Sequence, residues 1–132
     1  MRWFHGAART APVHERDIAA VAVRALCDEG HERGDYVLTG PESLTQRELL
    51  AAIGDAIGRK LVFEEVSPDL ARREVLASWP GWVADMLMSA YAAAVDRPAL
   101  VTSAIEDVTG TPARTFRQWA ADHAAGWMRH EP

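Results

Sequence analysis

Three ionisable side chains stand close together near the start of the sequence: His14, Glu15 and Asp17, in "PVHERDIAAVAV". A histidine beside carboxylates can move protons, because an imidazole changes charge near neutral pH. His14 and Glu15 are therefore the candidate acid/base or ligand-contact residues. The alternative is a loop histidine leading into a helix, with Asp17 as its cap, since no third partner is visible at this spacing. The other candidates are binding side chains. Trp79, Trp82, Met86 and Tyr91, with Met88, crowd one predicted helix, and "WPGW" brings two large aromatics to its start. Soft and aromatic side chains suit a small apolar ligand or a partner surface, but they also suit ordinary core. His123 lies between Trp119 and Trp127 on one helical face, where it lines a pocket or packs with one hydrogen bond.

Other chemistries lack their residues. Glu64 and Glu65 are adjacent on a predicted strand and point to opposite faces, so they form no acid/base pair. Ser43, Ser67 and Ser103 sit in capping contexts, and no GxSxG elbow occurs. The histidines at 5, 14, 31, 123 and 130 have no ligand spacing on one element, so no metal is expected. Cys27 is the single cysteine, which points to a reduced, cytoplasmic setting. With 19 acidic against 14 basic residues and a net charge of −5, nucleic acid is not the expected partner. No apolar run approaches the roughly 20 residues that cross a bilayer. The 132 residues, 48% hydrophobic and 25% charged, fit a single small α/β domain with a packed core.

These side chains must be held by elements that the sequence punctuates well. Asp17 caps a helix whose face carries Ile18, Val21, Ala22, Ala25 and Leu26. Residues 35–40, "DYVLTG", read as a buried strand, and 61–66, "LVFEEV", as a second. Between them Thr45 and Glu48 form a capping box, Leu49, Leu50, Ile53, Ala56 and Ile57 a core face, and Gly58 a stop. Ser67 and Pro68 open a helix ending near Ser78. Pro80 starts the next, with Val83, Met86, Leu87, Ala90, Tyr91 and Ala94 as its stripe. Ser103 with Glu106 and Thr115 with Gln118 give two more capping boxes, with Gly110 as a stop between them. The last helix carries Phe116, Trp119, Ala120, His123, Ala124 and Trp127 on one face. The expected fold is α/β, mostly helical, with two or three short strands.

"HERDIAAVAV", "YVLTGPESLTQRELLAAIGDAIGRKLVFEEV" and "VTGTPARTFRQWAADH" together resemble the C-terminal half of NmrA-like proteins, atypical members of the short-chain dehydrogenase/reductase superfamily. The resemblance runs from about residue 9 to about residue 125. It implies the substrate-binding half of a Rossmann protein, with the 79–91 region in the substrate lid and residues 14–17 near the cleft. It also implies NAD(P), held in the family by an N-terminal Rossmann half. The nine glycines never fall as GxGxxG, and the single lysine, Lys60, has Ala56 four residues before it, so no Tyr-x-x-x-Lys pair exists. The expectation is a chain with no cofactor of its own, taking NAD(P) only if a separate Rossmann half is supplied. Three functions follow: a module binding a small organic ligand or partner without redox chemistry; half of a split or truncated NAD(P)-dependent oxidoreductase; or a cofactor-independent cyclase or isomerase using His14 and Glu15. Apolar faces left without the Rossmann half call for a homodimer or a separate cofactor-domain chain.

Overall fold

The computed structural model describes residues 1–31 and 34–128. In chain order its elements are β1 (Arg2–Trp3), β2 (Arg9–Thr10), α1 (Glu15–Cys27), β3 (Leu44–Thr45), α2 (Gln46–Ala56), β4 (Glu64–Glu65), α3 (Pro68–Leu70), a π-helical turn at Ala71–Val75, α4 (Gly81–Ala93), α5 (Ala104–Thr109) and α6 (Phe116–Met128). The fold is α/β and mostly helical. Its strands form two separate pairs. β1 runs parallel to β4, with Arg2 opposite Glu64, and β2 antiparallel to β3, with Arg9 opposite Thr45. β4 lies within the expected strand 61–66, whereas β1, β2 and β3 are not foreseen, because two residues are too few to display a period of two.

Residues 35–40 are a correction: the apolar run makes no ladder. A strand needs a neighbour about 4.8 Å away, whatever its own propensity. Here the neighbours are loops. The Gly40 N–H donates to Ala11 O at 3.0 Å, the Thr102 N–H to Thr39 Oγ1 at 3.0 Å, and the Thr102 hydroxyl to Val37 O at 2.6 Å. Gly40 is required at this approach, since a Cβ there would lie 2.1 Å from Pro12 O.

The caps divide similarly. Thr45 and Glu48 form their box, and Gly58 and Gly110 close helices at φ 66° and 70°. Ser67 caps α3, and Thr115 and Gln118 exchange both capping bonds. The Ser103 box does not form: its hydroxyl donates instead to Asp107 Oδ2 at 2.7 Å, and its backbone sits at φ −89°, ψ 2°. Asp17 is not the cap of α1 either. The cap is His14, three positions earlier, whose Nδ1 accepts from the Arg16 N–H at 3.2 Å.

Phe4, Val66, Ala71, Leu76 and Ala84 make the main buried cluster, covered by Trp3, Leu70, Leu87, Met88 and Tyr91. On α4 the inward side is therefore 84, 87, 88 and 91: Leu87 and Tyr91 of the expected stripe face the core, joined by Ala84 and Met88, whereas Met86 points out at 55% exposure. On α1 the inward side is Asp17 and Val21, whereas Ile18 and Leu26, expected in the core, are exposed. Both helices are apolar over a wider arc than this fold buries. Elsewhere α1 packs on α5 and α2 on α6, around Val21, Leu50, Ala52, Ile105 and Ala120. Among the described residues no helix is long and apolar enough to cross a membrane.

Candidate functional site

The start of α1 and the middle of α6 meet through a compact ionic network. His14 is 1% exposed. Its Nδ1 accepts from the Arg16 N–H, and its Nε2 faces Asp122 Oδ2 at 3.5 Å without a hydrogen bond. Arg16 also reaches Asp122 at 2.9 Å. Glu15 lies between two imidazoles: its Oε2 is 3.4 Å from His14 Nδ1 and its Oε1 3.2 Å from His123 Nε2, while His123 Nδ1 donates to Trp119 O at 2.8 Å. The bond from its own backbone N–H holds the Glu15 carboxyl below the usual carboxylate value, and the imidazoles of His14 and His123 add to this. Both nitrogens of His14 therefore face groups of this chain, and Glu15 is an anion paired with a neighbouring imidazole. The arrangement joins two helices.

Asp17 is the third group of the opening cluster, and it lies deepest. Its Oδ2 accepts from the Arg114 N–H at 2.7 Å, and its Oδ1 from the Arg114 guanidinium. The carboxylate thus anchors the loop that leads into α6. That loop and residues 12–14 form the two sides of a cleft of about 300 Å³, lined by Pro12, Val13, His14, Thr115, Phe116 and Trp119. Phe116 stacks on Trp119 with ring centroids 5.1 Å apart, and Trp119 stacks on His123 at 4.6 Å. Positions 116, 119 and 123 fall on one helical face, which is why the rings meet.

The expected ligand pocket is not gathered into one place. Tyr91 joins Trp3 and Phe4, with centroids 6.0 and 5.4 Å away, and burial pushes its phenol up. Trp79 borders a smaller cavity of about 180 Å³ with Arg72, Leu76 and Ala84. Trp82 and Met86 are 72% and 55% exposed on the outer side of α4. His123 is on α6, beside Glu15 and Trp119, behind the cleft rather than in its lining. The cleft residues themselves were readable only in part. Phe116 and Trp119 declare themselves by their spacing, whereas Pro12 and Val13 carry no chemical signal and are paired with α6 only by the fold.

Nor do the described glycines form a dinucleotide cradle. The two tightest against backbone, Gly40 and Gly54, are pressed on this chain's own Pro12 O and Arg59 O. No His/Cys/Asp/Glu group among the described residues could hold a metal ion.

No protein-family model matches the chain. Curated relatives and solved structures do. A (4-alkanoyl-5-oxo-2,5-dihydrofuran-3-yl)methyl phosphate reductase of Streptomyces griseus is 43% identical over 125 residues, covering 94% of this chain and 44% of the relative. An NAD(P)H azoreductase of Xenophilus azovorans is 38% identical over 124 residues, 92% of this chain and 43% of the relative. The NADPH-dependent quinone oxidoreductase from Escherichia coli superposes with a TM-score of 0.74 at 22% identity, over 92% of this chain and 44% of that one. Sequence and fold thus place the chain with the NAD(P)-binding reductases of the NmrA-like family. It corresponds to their C-terminal part and spans less than half the length of the relatives it matches.

Proposed function

We propose that the chain is the substrate-side part of an NAD(P)H-dependent reductase, and that the dinucleotide is held by a Rossmann segment outside these residues. The observation that carries this is the 43% identity to the Streptomyces reductase, sustained over 94% of the chain. The chain's own glycines do not fit the pyrophosphate, so no step of hydride transfer is assigned to residues here. What this chain supplies is positioning: the Asp17–Arg114 and Glu15–His123 contacts fix α6 against the start of α1. The partner surface in this reading is the outer arc of α1, with Ile18, Val23 and Leu26, together with Val37, which are 45–86% exposed.

The test is a fusion of the N-terminal remainder of the Xenophilus azoreductase to this chain. The fusion is expected to bind NADPH and oxidise it in the presence of an azo dye, whereas the chain alone leaves NADPH fluorescence unchanged. Micromolar NADPH binding by the chain alone would refute the assignment. The second reading, a module that binds a small ligand without redox chemistry, is favoured by the cleft's being built entirely from this chain. It predicts ligand binding by the chain alone and a fusion that never oxidises NADPH. Sizing the chain by light scattering distinguishes a homodimer over the α1 arc from a chain left open for a cofactor segment.

A further inference from the structure

We propose that the cleft between residues 12–14 and the start of α6 is a binding site for a flat, uncharged aromatic ring system. Its size, about 300 Å³, is at the lower end of small-molecule sites. Its shape comes from α6. The half-buried rings of Phe116 and Trp119 lie 24° from parallel, and Trp119 lies 27° from His123, so the helix presents a run of nearly parallel ring faces. A planar ligand extends that stack in an offset arrangement. Pro12 and Val13 close the opposite side with apolar surface.

Charge decides against ionic ligands. None of the six lining residues is Arg, Lys, Asp or Glu, so a charged group would lose its water without gaining a partner. The polar atoms of the lining are nearly all spent. Thr115 Oγ1 accepts from the Gln118 N–H and donates to Gln118 Oε1. His14 Nδ1 accepts from the Arg16 N–H. His14 Nε2 is buried and faces Asp122 Oδ2 at 3.5 Å, so it too is turned to a group of this chain. The site involves no nicotinamide, so it stands or falls separately from the reductase assignment.

The experiment is a titration of the full chain at pH 7 with 2-naphthol, and separately with the anion 2-naphthoate, followed by ¹⁵N–¹H NMR. Neutral 2-naphthol is expected to shift the Trp119 indole and Thr115 amide signals with a Kd on the order of 100 μM. 2-Naphthoate is expected to bind at least about tenfold more weakly. Val13→Trp, which fills the cleft with a side chain of its own, should abolish the shifts while the spectrum stays folded, and Trp119→Ala should weaken binding about tenfold. Equal binding of the anion overturns the proposal. So do shifts centred on Trp79 and Trp82, the absence of any saturable shift, or a Val13→Trp variant that binds as the parent does.

Discussion

Asp17 illustrates how much one position depends on what meets it. As a carboxylate three residues into a helix it serves the helix dipole wherever it points. In the fold it is 2% exposed and holds both the backbone and the side chain of Arg114. Removing it leaves the part-buried Arg114 N–H unpaired and the Arg114 side chain, itself 39% exposed, without its anion. Asp17→Ala is therefore expected to lose about 3 kcal/mol in urea unfolding. A loss below about 1 kcal/mol would mean that Arg114 re-solvates freely. Gly40 is sensitive for a steric reason: an added Cβ would meet the Pro12 carbonyl, which belongs to backbone and cannot swing away. Gly40→Ala should cost about 2–3 kcal/mol by overpacking, read as a lowered urea midpoint.

Among the elements, those with local causes were legible. The Thr45–Glu48 box, the Ser67–Pro68 start, and Gly58 and Gly110 all depend on atoms within four residues, and all form. What failed depends on distant partners. Residues 35–40 have the composition of a strand, but a ladder needs a second chain segment, and none of the described residues forms one with them. His14, by sequence a candidate acid/base or ligand-contact residue, is the cap of α1, which sequence obscures because histidine is an uncommon cap beside an available aspartate. Thr45→Ala is expected to destabilise by about 1 kcal/mol near neutral pH. The bonds from Thr45, backbone first, hold Glu48 below its ordinary 4.5. A depressed carboxyl contributes stability above its unfolded value and loses it as pH falls through the lower folded value. The gap between parent and Thr45→Ala should thus be full above pH 4.5 and shrink below it. A gap that widens on acidification would show that Thr45 acts otherwise than through Glu48.

At the scale of the molecule, the apolar surplus on α1 and α4 is the main departure from the sequence reading. Helical periodicity identifies an apolar arc but not which part of it has a neighbour. Leu26, 86% exposed, has almost nothing to lose from polarity in the fold as it stands. Leu26→Glu should therefore leave the melting temperature of the chain within about 2 °C and reduce its self-association on a sizing column. A large drop in melting temperature would mean that Leu26 is covered in solution. The candidate binding residues divide the same way: Phe116 and Trp119 could be picked out by spacing, but their opposite wall is about a hundred positions away in the chain and could not.

The Asp17–Arg114 contact spans 97 positions. That distance has a consequence for how the protein is made. Contacts so far apart in sequence form slowly, because a large loop must close before they contribute. During synthesis α1 leaves the ribosome long before Arg114 exists, with a carboxylate on its inner side and no cation to receive it. Docking of α1 comes late: its local turns can form early, but its contacts with α5 and with Arg114 wait for residues far along the chain. Nascent chains halted before Arg114 should be cut readily by protease within α1, and chains that include α6 should resist.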